Sequence, residues 1–204
     1  MPTLGGCLMR TRFALPLLAV LAVALPVLFA GVAQAHGYTT NPVSRSSLCA
    51  TGVVKNCGDI QYEPQSVEGP KNFPAAGPAD GKICAGGIAR FAQLDDPRAG
   101  AWPTTKLTSG APYTFTWHFT AIHATTDFRY FVTRNGWDPT KPLTRASLDP
   151  APFLTSNWGG KRPSGDVSIP GTLPAGKTGH HLILGVWDIA DTGNAFYSCA
   201  DVTF

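Results

Sequence analysis

The sequence predicts an all-β domain, an immunoglobulin- or fibronectin III-like antiparallel β-sandwich preceded by a long, partly helical loop region. Three observations carry that prediction. Tyr113, Phe115, Trp117 and Phe119 alternate with Thr114, Thr116, His118 and Thr120, the period of a strand with one apolar face. Several more short strand-like runs follow, separated by turn-forming residues. Glycine (22), proline (18) and aromatic residues are plentiful while charged residues make up only 14%, a balance that suits a loop-rich β protein better than a helical one.

In chain order, the first segment reads as a secretory signal. Arg10 and Arg12 precede an apolar run from Phe13 to Ala30, and Ala33-Gln34-Ala35 is a small-x-small cleavage site. Pro16 and Pro26 within the run favour removal over retention as a membrane anchor. Cys7 leaves with the signal. Residues 36–204 then form a single domain, large enough for a substantial core. Without Arg10 and Arg12, 14 Lys and Arg stand against 13 Asp and Glu, about +1 from side chains. Such a charge excludes a polyanion-binding surface, so nucleic acid is not an expected partner.

Cleavage after Ala35 would free an α-amine on His36. That amine titrates near pH 8 (about 7.7–8.0), so a metal can displace its proton near neutrality. One residue then offers two nitrogens, amine and imidazole, to a single ion.

From Gly37 to about Gly110 the chain is dense in Pro, Gly, Ser and Asn, with only short candidate helices such as Gly86–Gln93. It reads as a large, tied-down surface region. Cys49, Cys57, Cys84 and Cys199 remain after cleavage, an even number that implies two disulfides with three possible pairings in an exported chain. Cys49 and Cys57 close a short loop and are the favoured local pair, which leaves Cys84 for Cys199. No C-x-x-C spacing supports a zinc site. Beyond the alternating strand, Phe128–Thr133 reads as a second strand and Val167–Ile169 as a short one before Pro170-Gly171. His181–Ile189 and Phe196–Phe204 are two late strands around the turn Ala190–Asn194.

Five histidines are available for chemistry. His118 lies mid-strand on the polar face, where a solvated or hydrogen-bonded role is expected. His180 and His181 open a strand and are expected to pair locally. His123 sits just past a strand end, where a loop can carry it to a surface.

A wider set of residues resembles the bacterial chitin-active lytic polysaccharide monooxygenases of auxiliary activity family 10. It comprises His36-Gly37-Tyr38, Gln61 to Gly69 (QYEPQSVEG), Phe73-Pro74 with Ala76 to Gly81, and Thr120-Ala121 with His123 and Thr125-Thr126. Arg129 to Phe131, Pro142 to Ser147, Val186 to Thr192 and Asn194 to Tyr197 continue the match in the same order.

The resemblance implies a copper ion held by a histidine brace, from the His36 amine and imidazole and the His123 imidazole. Three nitrogens without a thiolate suit copper. Phe196 matches the apolar residue against one axial side of the metal, Ala121 the small residue crowding the other, and Glu68 the acidic residue that handles protons beside it. Tyr62, Glu63 and Gln65 match a flat substrate-facing patch, which Asp191, Thr192 and Asn194 approach from the late turn. Ile122 departs from the family, standing where relatives carry a basic residue. The implied activity is oxidative cleavage of β-1,4 bonds in crystalline chitin, at C1, with an external electron donor and hydrogen peroxide or dioxygen as cosubstrate. The expected protein is secreted and monomeric, with a chitin surface as its partner and no membrane attachment after cleavage. The rival readings are a non-catalytic chitin-binding protein, action on cellulose, a copper carrier, and a glycosidase using Glu63 and Glu68.

Overall fold

Nine strands form two sheets among the described residues, and the second sheet is covered on both faces. The computed structural model describes residues 1–3, 5 and 35–204. The predicted leader, with Cys7, Arg10, Arg12 and most of its cleavage site, lies largely outside the described residues. Among those described, no helix is long and apolar enough to cross a membrane.

The smaller sheet has the order β1 (His36–Asn41), β4 (Pro112–Ala121), β7 (Val167–Thr172). The larger has the order β2 (Glu68–Pro70), β9 (Asn194–Thr203), β8 (His180–Ile189), β5 (Thr125–Val132), β6 (Leu154–Lys161). A two-residue strand, β3 (Thr105–Lys106), adds to β9 in parallel, while the other pairings are antiparallel. This is the predicted β-sandwich. As the alternation requires, Phe115, Trp117 and Phe119 of β4 are buried between the sheets, where they meet Phe128 and Tyr130 of β5 and Trp187 of β8.

β8 and β9 show no such alternation, and the reason is a second core. Ile183, Trp187 and Ile189 of β8 and Phe196 and Val202 of β9 face the first sheet. Leu182, Leu184 and Val186, with Ala195, Tyr197 and Cys199, face the other way into a cluster built with Ile60, Val67, Phe73, Ile83 and Phe91 from the loop region. A strand buried on both faces reads as a continuous apolar run.

The loop region is therefore ordered because it is a covering layer. It contains one α-helix, α1 (Arg45–Ala50), whose N-cap Ser44 accepts from the Ser47 amide, and short 3-10 turns at Gly58–Tyr62, Ala89–Leu94 and Arg98–Gly100. Disulfides join Cys49 to Cys57 and Cys84 to Cys199, closing separations of 8 and 115 residues.

Several boundaries differ from those expected. β5 starts at Thr125 rather than Phe128 and β9 at Asn194 rather than Phe196. β7 runs through Pro170-Gly171, which were read as a turn; as a sheet edge it tolerates a residue without an N–H. β1 and β6 were not foreseen, because both are short, polar and largely unburied on one side. The helical turn expected at Gly86–Gln93 is displaced to Ala89–Leu94.

A buried ion pair fastens the covering layer. Asp201 is 1% exposed and accepts from Arg45 through Nε (2.6 Å) and Nη2 (3.1 Å) and contacts His180 Nε2 at 3.0 Å. Arg45 also donates to the Leu94 carbonyl and stacks on Trp102. Burial alone would raise the Asp201 pKa, but His180 and Arg45 outweigh it and hold the carboxyl below its ordinary value. Its contribution to stability is thus present above the ordinary carboxylate range and is lost only as pH falls through the depressed value. Asp201→Asn strands the Arg45 charge in the core and is expected to destabilise the fold by about 3–5 kcal/mol. Chemical denaturation against pH measures both effects, with the variant losing this part of the wild-type acid dependence.

Candidate functional site

One end of the sandwich gathers the start of β1, the ends of β4 and β8 and the starts of β2 and β9. Backbone register does the gathering. His36 lies opposite Ala121, Glu68 opposite Phe196, and Phe196 opposite Trp187. The Gly37 amide donates to the Gln65 carbonyl at 3.0 Å, tying the 61–68 loop to β1. A Cβ on Gly37 would lie 2.6 Å from the Phe119 ring, so only glycine permits that approach beside His36.

His123 follows β4 and is 4% exposed. Its carbonyl accepts from Thr125 Oγ1 at 3.1 Å, and Thr125 Oγ1 in turn accepts from Trp187 Nε1 at 2.9 Å. The Ala190 amide donates to the Ala124 carbonyl at 2.8 Å, which holds the late turn against the same loop. His123 Nδ1 meets Asp191 Oδ1 at 3.3 Å. The hydrogen bond from His123 holds Asp191 below its ordinary pKa, helped by the charges of His123 and Arg162 against a small cost of burial. An ionised carboxylate only accepts, so Nδ1 carries a hydrogen, and in the neutral ring Nε2 is then the nitrogen with the lone pair.

The Phe196 ring is fully buried, 6.2 Å from the His36 ring and 5.1 Å from that of Trp187. It forms an apolar wall. Glu68 Oε1 accepts from Asn194 Nδ2 at 2.7 Å. Glu63 is gripped by the Arg90 fork, with Nη2 to Oε2 at 3.0 Å and Nη1 to Oε1. That grip, with a Ser66 hydrogen bond and the nearby charges of Arg90 and His36, lowers its pKa despite some desolvation. His36, Glu63, Glu68, Arg90 and Asn194 line an open depression of about 460 Å3.

The expected site residues thus take different places. His36, Ala121, His123, Glu68, Phe196 and Asn194 converge on this end, and Asp191 reaches His123 itself. Thr192 closes its own turn, its Oγ1 accepting from the Asn194 amide at 3.1 Å. Gln65 contributes through its carbonyl. Tyr62 ends a 3-10 turn and is 82% exposed, a large ring presented to solvent. Sequence reasoning missed Arg90, which grips Glu63, and Arg162, which donates from Nη2 to the Ile122 carbonyl at 2.6 Å. Nothing in an irregular stretch or a strand end marks a single arginine as a partner for such groups.

Among the described residues no group of three or more His, Cys, Asp or Glu side chains could hold a metal. Two histidines and a main-chain amine form a different kind of donor set. The nitrogen donors present, and the engagement of Cys49, Cys57, Cys84 and Cys199 in disulfides, fit copper better than a thiolate-seeking metal.

Comparison with known proteins follows the same residues. The family described as "Lytic polysaccharide mono-oxygenase, cellulose-degrading" matches residues 36–202. AA10 family lytic polysaccharide monooxygenase C of Mycosarcoma maydis is 47% identical over 84% of this chain and 53% of its own length. GlcNAc-binding protein A of Shewanella oneidensis is 45% identical over 84% of this chain and 36% of its own. The chain therefore spans about half or less of these curated relatives. Among solved structures, an AA10 lytic polysaccharide monooxygenase from Streptomyces lividans is 57% identical with a TM-score of 0.81, covering 83% of this chain and all of that one. A Bacillus amyloliquefaciens protein solved in complex with Cu(I) is 40% identical with a TM-score of 0.73, covering 82% of this chain and 99% of that one. The chain belongs to the AA10 lytic polysaccharide monooxygenase family.

Proposed function

We propose that this protein is a secreted, copper-dependent monooxygenase that cleaves β-1,4 bonds of crystalline chitin by oxidation at C1. The observation that carries the reading is the placement of His36 opposite Ala121, two residues before the buried His123, with the Phe196 ring 6.2 Å from that of His36. His36, through its amine and imidazole, and His123, through Nε2, would hold one copper ion. When bound, copper supplies one-electron redox chemistry that uses an external donor with hydrogen peroxide or dioxygen.

The chain's own groups have separate tasks. Asp191 fixes the His123 ring and leaves Nε2 free to ligate, the usual service of a carboxylate behind a metal-binding histidine. Phe196 offers no donor atom and keeps its side of the site apolar. Asn194 holds the Glu68 carboxyl at the edge of the depression, where it can deliver or take a proton from an oxygen species. The exposed Tyr62 ring suits the apolar face of a sugar, and the Glu63–Arg90 pair gives a fixed set of acceptors and donors for hydroxyl and acetamido groups. Substrate would sit across this open end, which suits a crystal face better than a threaded chain.

Chitin is favoured by this mixed aromatic and polar face and by the GlcNAc-binding relatives. The family description favours cellulose as the second reading. A hydrolytic glycosidase is disfavoured, because its acid needs a raised pKa and Arg90 holds Glu63 down.

Mass spectrometry of products tests the reading. Protein beginning at His36, given copper, ascorbate and chitin, is expected to release chitooligosaccharides ending in aldonic acids, and His123→Ala is expected to release none. Oxidised ends from cellulose alone would overturn the substrate, ketones at C4 the regiochemistry, and unoxidised ends the reaction. Two further variants separate chemistry from adsorption. Glu68→Gln should slow oxidation about 100-fold or more while adsorbing normally. Tyr62→Ala should weaken chitin adsorption by about 1 kcal/mol, roughly fivefold.

A further inference from the structure

The connection between β6 and β7 carries Arg162, an exposed residue that neither the family resemblance nor the sequence pattern marks. Sheet register fixes where it lies. Lys161, at the end of β6, pairs with Thr125, and Thr125 pairs with Ile189 on its other side. These three residues form a row across the sheet at the site end. Arg162 is one residue beyond the first, His123 two before the second and Asp191 two beyond the third. The row brings all three side chains to one corner.

The contacts follow from that placement. Arg162 Nη2 donates to the Ile122 carbonyl at 2.6 Å, on the peptide that joins Ile122 to His123. Asp191 accepts from His123 Nδ1. The segment bearing Arg162 is itself anchored. Pro163 is buried, and Asp166 accepts from the Phe119 amide at 3.1 Å and meets His118 Nδ1 at 3.0 Å. An exposed arginine on a free loop would pay a large rotamer cost to make one hydrogen bond. Here the loop is pinned to β4 at Phe119, so the guanidinium starts close to the Ile122 carbonyl.

We infer that Arg162 is a positioning residue for His123, holding the loop immediately before the ring through the Ile122 carbonyl. It holds the ring indirectly, through the main chain. The bond to that carbonyl fixes where the His123 main chain sits, while Asp191 meets the ring itself. Lysine can donate to the same carbonyl but lacks the fixed planar fork of the guanidinium. This inference rests on the proposal that His123 ligates copper.

The test measures copper itself, by competition titration and electron paramagnetic resonance on protein beginning at His36. Arg162→Ala is expected to weaken Cu(II) binding about tenfold, the low end for a group acting behind a metal ligand, and to shift the copper hyperfine splitting. Arg162→Lys should fall between the two. Made in an Asp191→Asn background, Arg162→Ala should still weaken binding several-fold, because the two hold the ring through different contacts. Unchanged affinity and spectrum in Arg162→Ala, beside a wild type that binds copper, would overturn the inference alone, even if the melting temperature fell. A wild type that binds no copper would overturn the metal reading as well.

Discussion

The structure depends on β9 being buried on both faces. One face, with Phe196 and Val202, closes the core between the sheets, and the other, with Ala195, Tyr197 and Cys199, receives the loop region. The fastenings of that region converge on the same strand. Cys84 is bonded to Cys199, Arg45 to Asp201, and the Tyr197 hydroxyl to the Pro70 carbonyl. On the inner face, Thr39 Oγ1 bonds Ser198 Oγ at 2.8 Å and ties β1 to the strand as well. A strand with two dry faces leaves its polar groups no water, so each must find a protein partner. Asp201 and Ser198 do, which turns a cost of burial into a specification of where the covering layer sits.

That specification reaches the site. The loop fastened to β9 carries Tyr62, Glu63 and Glu68, and the strand's first residues supply Asn194 and Phe196. Glu68 lies opposite Phe196 because β2 pairs with the beginning of β9, and the Gly37 amide beside His36 meets the Gln65 carbonyl. The position of the Glu68 carboxylate relative to the two histidines is thus set by backbone ladders and a covalent bond. Under the proposed function, the Glu63–Arg90 and Glu68–Asn194 pairs would meet a polysaccharide already ordered, so little ordering entropy would be spent on binding.

Much of this was legible in the sequence, for identifiable reasons. β4 declared itself because one of its faces is wet, and the late apolar runs read as strands because they are short and separated by the turn at Ala190–Asn194. The covering layer was not legible. Its residues are irregular, and the partners that order it lie up to 156 positions away, as with Arg45 and Asp201. β6 hid behind Asn157, Gly159 and Gly160, residues that an edge strand tolerates and a propensity argument counts against. Taken singly, His36 and His123 were ordinary histidines; their place in an ordered series of matching residues singled them out. Arg90 and Arg162 could not be found this way, since each acts through a contact that only the folded chain creates.

The central claim is that the His36 amine, its imidazole and the His123 imidazole act as one copper site. The most direct measurement is Cu(II) binding by protein beginning at His36 beside the same protein beginning at Ala35, read by titration and by nitrogen hyperfine structure in the copper resonance. The account predicts one tightly held ion with three nitrogen ligands in the first form, and much weaker binding in the second, whose His36 nitrogen is an amide. Equal affinity and an identical spectrum in the two forms would contradict it.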